Sequence, residues 1–92
     1  MKDWFAYIAV TESGHLYTGV STDVGKRIQK HNSGKGAKFA RMHGDFRLAY
    51  QSSAMSKSEA LKREIEIKSW SRSKKQALVS EYEAQIKTID KI

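Results

Sequence analysis

Two short aromatic patches, Ala6-Tyr7-Ile8 and Tyr17-Thr18-Gly19, flank the turn signal Glu12-Ser13-Gly14, and this arrangement limits the fold more than anything else in the chain. Trp4 to Val10 is β-rich and almost continuously apolar, as expected of a central strand buried on both faces. His15 to Val20 alternates well enough to be its antiparallel partner. A hairpin of this kind brings Tyr7 and Tyr17 close across the ladder. Arg27 and His31 follow, four residues apart on a predicted short helix. Two phenols, a guanidinium and an imidazole thus converge within the first third of the protein.

That first helix has Ser21 or Thr22 as its expected cap, Asp23 at its positive end, and Val24 with Ile28 as its apolar stripe, ending near residues 32 to 34. Gly25 inside it costs about 1 kcal/mol relative to alanine. Phe46 to Gln51 reads as a third strand with Phe46, Leu48 and Tyr50 on one face. Ser56-Lys57-Ser58-Glu59 is a capping-box pattern that opens a helix through about Trp70. On that helix Ile67, Ala60, Leu61 and Ile65 define an apolar arc with Glu64 near its middle and Lys68 beside it. A carboxylate so placed demands a specific cationic partner or a metal. A last helix starts at Ser71 or Ser73 and runs to about residue 87, with Leu78, Tyr82 and Ile86 as its buried stripe. The predicted order is β-β-α-β-α-α in one domain spanning residues 1–92, with the motif-bearing core at 4–79.

At 92 residues there is room for one core. A net charge of +7 and a pI near 9.8 favour a polyanionic partner, either nucleic acid or an anionic membrane. No apolar run approaches the roughly 20 residues that span a bilayer, and the amino terminus lacks a signal-peptide pattern, so a cytoplasmic, non-membrane protein is expected. The absence of cysteine excludes disulfides, thiolate zinc sites and a cysteine nucleophile. Between Val24 and Gly44 stand six basic residues and no acidic one. The plainer reading of such a run is a solvated surface, but Phe39 between Lys38 and Arg41 adds a stacking surface to phosphate-seeking charge. Ser33-Gly34-Lys35-Gly36-Ala37-Lys38 lacks the Walker spacing, so it does not support nucleoside triphosphate binding. His15 and His43 read as surface residues.

Five pieces in order carry a family resemblance: Phe5-Ala6-Tyr7-Ile8, Leu16-Tyr17-Thr18-Gly19, Lys26-Arg27-Ile28-Gln29-Lys30-His31-Asn32, the glycine-lysine loop, and Glu59-Ala60-Leu61 through Glu64 to Lys68. Together they resemble a GIY-YIG nuclease domain of the short, single-domain bacterial branch, from Trp4 to about Val79. Phe-Ala-Tyr replaces Gly-Ile-Tyr, Tyr-Thr-Gly replaces Tyr-Ile-Gly, and Val20 stands where excision-repair relatives carry lysine. The resemblance implies a small α/β (α+β) fold with a three-stranded antiparallel sheet between helices. It also implies divalent-metal-dependent cleavage of DNA phosphodiesters.

Carried over residue by residue, Tyr17 is the general base or holds the attacking water, and Arg27 grips the scissile phosphate as a fork. Glu64 is the single protein ligand of one Mg²⁺ or Mn²⁺ ion. His31 hydrogen-bonds the nucleophile or Tyr17, and Tyr7 positions a phosphate or water. Lys26, Lys30, Asn32, Lys35, Lys38, Phe39, Arg41 and Lys68 are the expected nucleic-acid contacts. Each has a plainer reading: strand tyrosines as core residues, Arg27 as a surface charge, His31 as a helix-end cation, Glu64 with Lys68 as an i, i+4 ion pair. The leading expectation is a monomeric DNA endonuclease of low sequence specificity, favouring single-stranded or distorted DNA and working in repair or processing, with RNA left open. The alternatives are a catalytically weak or inactive nucleic-acid-binding module of the same fold, and a subunit that recruits a protein through its last helix.

Overall fold

Strand β1 (Phe5–Thr11) is the middle strand of a three-stranded antiparallel sheet of order β2-β1-β3, which is why its residues are apolar on both faces. The computed structural model describes residues 2–33 and 44–90, the side chains of 88–90 excepted. Strand β2 (Leu16–Ser21) pairs with β1 so that Gly19 lies opposite Tyr7 and Tyr17 opposite Ala9. Both strands run one residue later than the sequence suggests, and Trp4 makes an isolated bridge to Met55. At the hairpin tip Gly14 adopts φ +89°, the left-handed region that glycine tolerates. Thr11 fixes the turn: its Oγ1 accepts from the His15 N–H at 2.9 Å, and its own N–H donates to the His15 carbonyl at 3.0 Å.

Helix α1 (Val24–Asn32) is capped by Asp23, whose carboxylate accepts from the Lys26 N–H at 3.1 Å. Ser21 and Thr22, the caps expected from sequence, are displaced because β2 continues through Ser21, whose hydroxyl accepts from the Asp23 N–H instead. Val24 and Ile28 are buried as expected.

Strand β3 (Phe46–Gln51) flanks β1 on its other side, and a bulge there changes which residues share a face. Ile8 pairs with Tyr50 but Ala9 with Leu48, so Ala49 is the extra residue. Phe46 and Leu48 therefore stay on the α1 side, while Tyr50 turns to the other. The expectation of one shared face for Phe46, Leu48 and Tyr50 fails for this reason.

Helix α2 (Lys57–Lys68) starts, as the Ser56-to-Glu59 pattern predicts, with Ser56 Oγ accepting from the Glu59 N–H at 3.1 Å; the same hydroxyl donates to the Glu59 carboxylate at 3.0 Å. It buries only Ala60 and Ile67; Leu61 and Ile65 point outward, so the continuous apolar arc is not formed. Helix α3 (Arg72–Asp90) follows after a tight corner. Its cap is Ser71 rather than Ser73, accepting from the Lys74 N–H at 3.3 Å, and Trp70 in the corner is covered by Lys74 and Arg63 at 4.4 and 5.1 Å from the ring centroid. Val79 is its buried residue, Leu78 and Tyr82 are half-buried, and Ile86 is exposed, a face rotated from the expected one. Arg72 Nη2 donates to the Gly14 carbonyl at 2.6 Å and ties this helix to the hairpin tip.

Two clusters result, one on each face of the sheet. Ile8, Val10, Ala49, Ile67 and Val79 pack under α2 and α3; Tyr7, Ala9, Val24 and Ile28, with Phe5 and Phe46 against them, pack under α1. Among the described residues no helix is long and apolar enough to cross a membrane.

Candidate active site

Tyr7 is the pivot. Its side chain leaves the central strand on the α1 face and lies across Gly19, with a solvent exposure of 1%. A Cβ built on Gly19 would come within 2.8 Å of the Tyr7 hydroxyl and 2.9 Å of its ring, so any side chain there would have to evict the phenol. Glycine at this position is thus a demand for space. Because β2 is an edge strand, the hydroxyl that ends over Gly19 lies at the border of the sheet, where elements from both faces can meet.

They do meet there. Burial pushes the Tyr7 phenol up to about 12 from 10.0; Tyr17 adds to the rise, the guanidinium of Arg27 opposes it, and the carboxylate of Glu64 adds again. Groups from β2, α1 and α2 therefore act on one hydroxyl, although α1 and α2 pack on opposite faces.

Around this pivot stands an aromatic wall. The Tyr17 ring, 41% of whose residue surface is open, sits 6.3 Å from Tyr7, 5.3 Å from His31 and 5.9 Å from Phe46, with His31 and Phe46 5.6 Å apart. The tilted and edge-on geometries are those that aromatic quadrupoles favour. Nε2 of His31 is buried and has no hydrogen-bond partner among the described residues. A buried orphan nitrogen costs about 1–3 kcal/mol, and a substrate or nucleophile proton would relieve it.

Asn32, expected as a nucleic-acid contact, bonds twice to the backbone of Phe46. Its Oδ1 accepts from the Phe46 N–H at 2.8 Å and its Nδ2 donates to the Phe46 carbonyl at 2.9 Å. The amide clamps the end of α1 to the start of β3 and holds Phe46 against Tyr17 and His31. Arg27, Lys26 and Lys30 are exposed along α1. Lys35, Lys38, Phe39 and Arg41 lie outside the described residues, as does His43.

Glu64 sits at the rim of the buried face of α2, its side chain 19% exposed, with Lys68 Nζ 3.7 Å away. That separation is a loose ion pair and leaves carboxylate lone pairs uncommitted. Among the described residues no three His, Asp or Glu side chains form a metal-binding group. A lone hard carboxylate fits Mg²⁺ or Mn²⁺, which would keep most of their waters and complete their shell with substrate oxygens.

Gly19, Phe46 and the clamp role of Asn32 were not singled out from sequence. The register of Gly19 opposite Tyr7 could have pointed to the first, whereas a bulge without glycine or proline gives no local signal for Phe46.

Comparison with known proteins gives concordant results. Residues 3–77 match the GIY-YIG catalytic domain. A UPF0213 protein of Staphylococcus saprophyticus is 49% identical over 81 residues, covering 88% of this chain and 99% of that one. A UPF0213 protein of Staphylococcus aureus is 47% identical over the same coverage. The solution NMR structure of a UPF0213 protein from Bacillus halodurans superimposes with a TM-score of 0.53 at 49% identity, over 85% of this chain and 83% of that one.

Proposed function

The chain belongs to the family of GIY-YIG catalytic domains, and from that premise we propose that it is a divalent-metal-dependent endonuclease hydrolysing DNA phosphodiester bonds with low sequence specificity. The observation that supports this reading is the ring cluster of Tyr7, Tyr17 and His31 beside Gly19, with the charges of Arg27 and Glu64 both acting on the Tyr7 phenol. On this reading β2 supplies the proton-handling group, α1 the cation and α2 the metal ligand.

Phosphodiester hydrolysis needs an oriented water, neutralised phosphate charge and a proton for the leaving oxygen. Arg27, free to extend from α1, forks onto non-bridging phosphate oxygens and meets the charge that grows in the transition state. Tyr17, half open to solvent and braced by His31 and Phe46, orients the water and handles its proton. His31 hydrogen-bonds the nucleophile or Tyr17 through the Nε2 that has no partner among the described residues. Tyr7 keeps its own proton at neutral pH and donates a hydrogen bond to Tyr17 or to a phosphate oxygen. Glu64 would hold the Mg²⁺ or Mn²⁺ ion, which supplies Lewis-acid neutralisation of the phosphate when bound. A chain this small has little surface for reading bases, so structure rather than sequence selects the substrate, consistent with repair or processing of distorted DNA by a cytoplasmic monomer.

The test is metal-titrated cleavage of labelled single-stranded, duplex and branched DNA, with RNA as a parallel arm. Cleavage should require Mg²⁺ or Mn²⁺ and disappear in Tyr17→Phe and Glu64→Ala. Products that persist unchanged in both variants would refute the reading.

One observation favours a second reading, a catalytically weak nucleic-acid-binding module: Lys68 Nζ stands 3.7 Å from the Glu64 carboxylate that would hold the ion. It predicts salt-sensitive binding through Lys26, Arg27 and Lys30 with no turnover under any metal.

A further inference from the structure

Helix α2 has more apolar surface than the core uses. Ala60 and Ile67 face the sheet, yet Leu61 is 39% and Ile65 67% exposed. Four residues apart, they stack on one outward stripe. At 100° per residue, Lys57 and Lys68 border that stripe on the Leu61 side and Lys62 on the Ile65 side. Glu64 lies just beyond Lys57 at one border, with Lys68 Nζ 3.7 Å away, and Glu66, paired with Arg63, lies beyond Lys62 at the other. At the amino-terminal end Lys57 Nζ lies 5.3 Å from the ring centroid of half-buried Trp4, extending the stripe with an aromatic face.

Scattered exposed apolar residues are ordinary, and so are lysines on a helix. An apolar floor with cations along both edges, leading to the carboxylate of the candidate active site, is a more particular arrangement. The charge calls for a polyanion, and the floor calls for one with exposed hydrophobic faces. Single-stranded DNA has both, whereas duplex DNA hides its bases. A second copy of this chain would set like charge against like, at +7 per molecule. A lipid surface shares the chemistry, but two aliphatic residues are a small anchor, and continuity with Glu64 favours the strand being cut.

We infer that the outward stripe of α2, comprising Trp4, Lys57, Leu61 and Ile65 with Lys62 and Lys68, is a second substrate contact that holds unpaired nucleotides beside the Glu64 end of the site. From Lys57 to Lys68 it spans about 16 Å, at 1.5 Å per residue, enough for a few nucleotides. The inference rests on the nuclease reading for its choice of DNA, and it names single-stranded segments as the preferred substrate.

The experiment is fluorescence anisotropy of labelled single-stranded and blunt duplex oligonucleotides in EDTA across a salt series, for the parent protein, Leu61→Ser/Ile65→Ser and Lys57→Gln/Lys62→Gln. The serine pair should weaken single-strand binding about tenfold, leave the duplex within about twofold, and keep the salt slope. The glutamine pair should lower the single-strand salt slope by about 1.4, at about 0.7 per lost contact. Unchanged single-strand affinity in a serine pair that melts like the parent would overturn the inference. Equal loss for both DNA forms would also overturn it. Loss of binding to anionic vesicles with oligonucleotide binding intact would assign the stripe to a membrane, and a concentration-dependent dimer abolished by the serine pair would assign it to self-association. Repeating the series on Glu64→Ala separates the two proposals: a stripe that binds in a protein that never cleaves refutes only the nuclease reading, and cleavage indifferent to the stripe refutes only this one.

Discussion

Under α2 and α3, Ile8, Val10, Ala49, Ile67 and Val79 meet as an aliphatic cluster, whereas under α1 the same central strand sends Tyr7 and Ala9 between Val24 and Ile28, with Phe46 alongside. The first face contains nothing that titrates among its buried residues. The second buries a phenol whose pKa burial pushes up to about 12 and leads to an imidazole nitrogen with no partner among the described residues. Residues five to eleven divide by alternation: Ile8 and Val10 pack under α2 and α3, while Tyr7 and Ala9 pack under α1. On the proposed function the α1 face, with Glu64 reaching it from α2, carries the chemistry and the aliphatic face carries stability, so each should be separately breakable.

The largest expected effect is on the chemical side. Arg27→Ala or Glu64→Ala should lower single-turnover cleavage on the order of a hundred- to a thousandfold, with thermal melting close to that of the parent. Ile67→Ala should do the reverse, costing about 2–4 kcal/mol in urea unfolding while leaving cleavage per folded molecule intact. Equal damage to both readouts in either variant would erase the division. Gly19→Ala should breach it, since its methyl group must displace Tyr7; a loss of about 1–3 kcal/mol and reduced cleavage should appear together. Asn32→Ala, which frees Phe46 from its clamp, should cost about 1 kcal/mol and weaken cleavage more than single-strand binding.

The last effect is a pH dependence confined to alkaline solution. Below pH 10 the Tyr7 phenol is protonated folded and unfolded, so it adds no slope. As pH rises through 10.0 the unfolded chain releases its proton first, and stability falls until the folded phenol titrates near 12. Denaturant midpoints measured from pH 9 to 12 should fall less steeply in Tyr7→Phe than in the parent.

Much of this division was legible in the sequence, because alternation in β1 and β2 fixes which tyrosines face which way and the helix spacing fixes Arg27 and His31. The ladder, the capping box at Ser56 and the element order follow from patterns that act over a few residues. What escaped the reading depends on distant contacts. The bulge at Ala49, which separates Phe46 from Tyr50, arises from pairing with β1. Leu61 and Ile65 look like core by composition, yet α2 meets the sheet along the line of Ala60 and Ile67, and its crossing angle is a tertiary property. Glu64 stands out in the sequence both by the family motif and by an apolar arc; the fold does not complete that arc, and the place of Glu64 follows from the packing of α2 against β1 and β2.

The most direct test is a double-mutant cycle in single-turnover DNA cleavage with Arg27→Ala, Glu64→Ala and the pair. If both groups serve one hydrolytic centre, the double variant should lose little more activity than either single variant. Losses that multiply would mean that Arg27 and Glu64 work at separate places, contradicting the shared site.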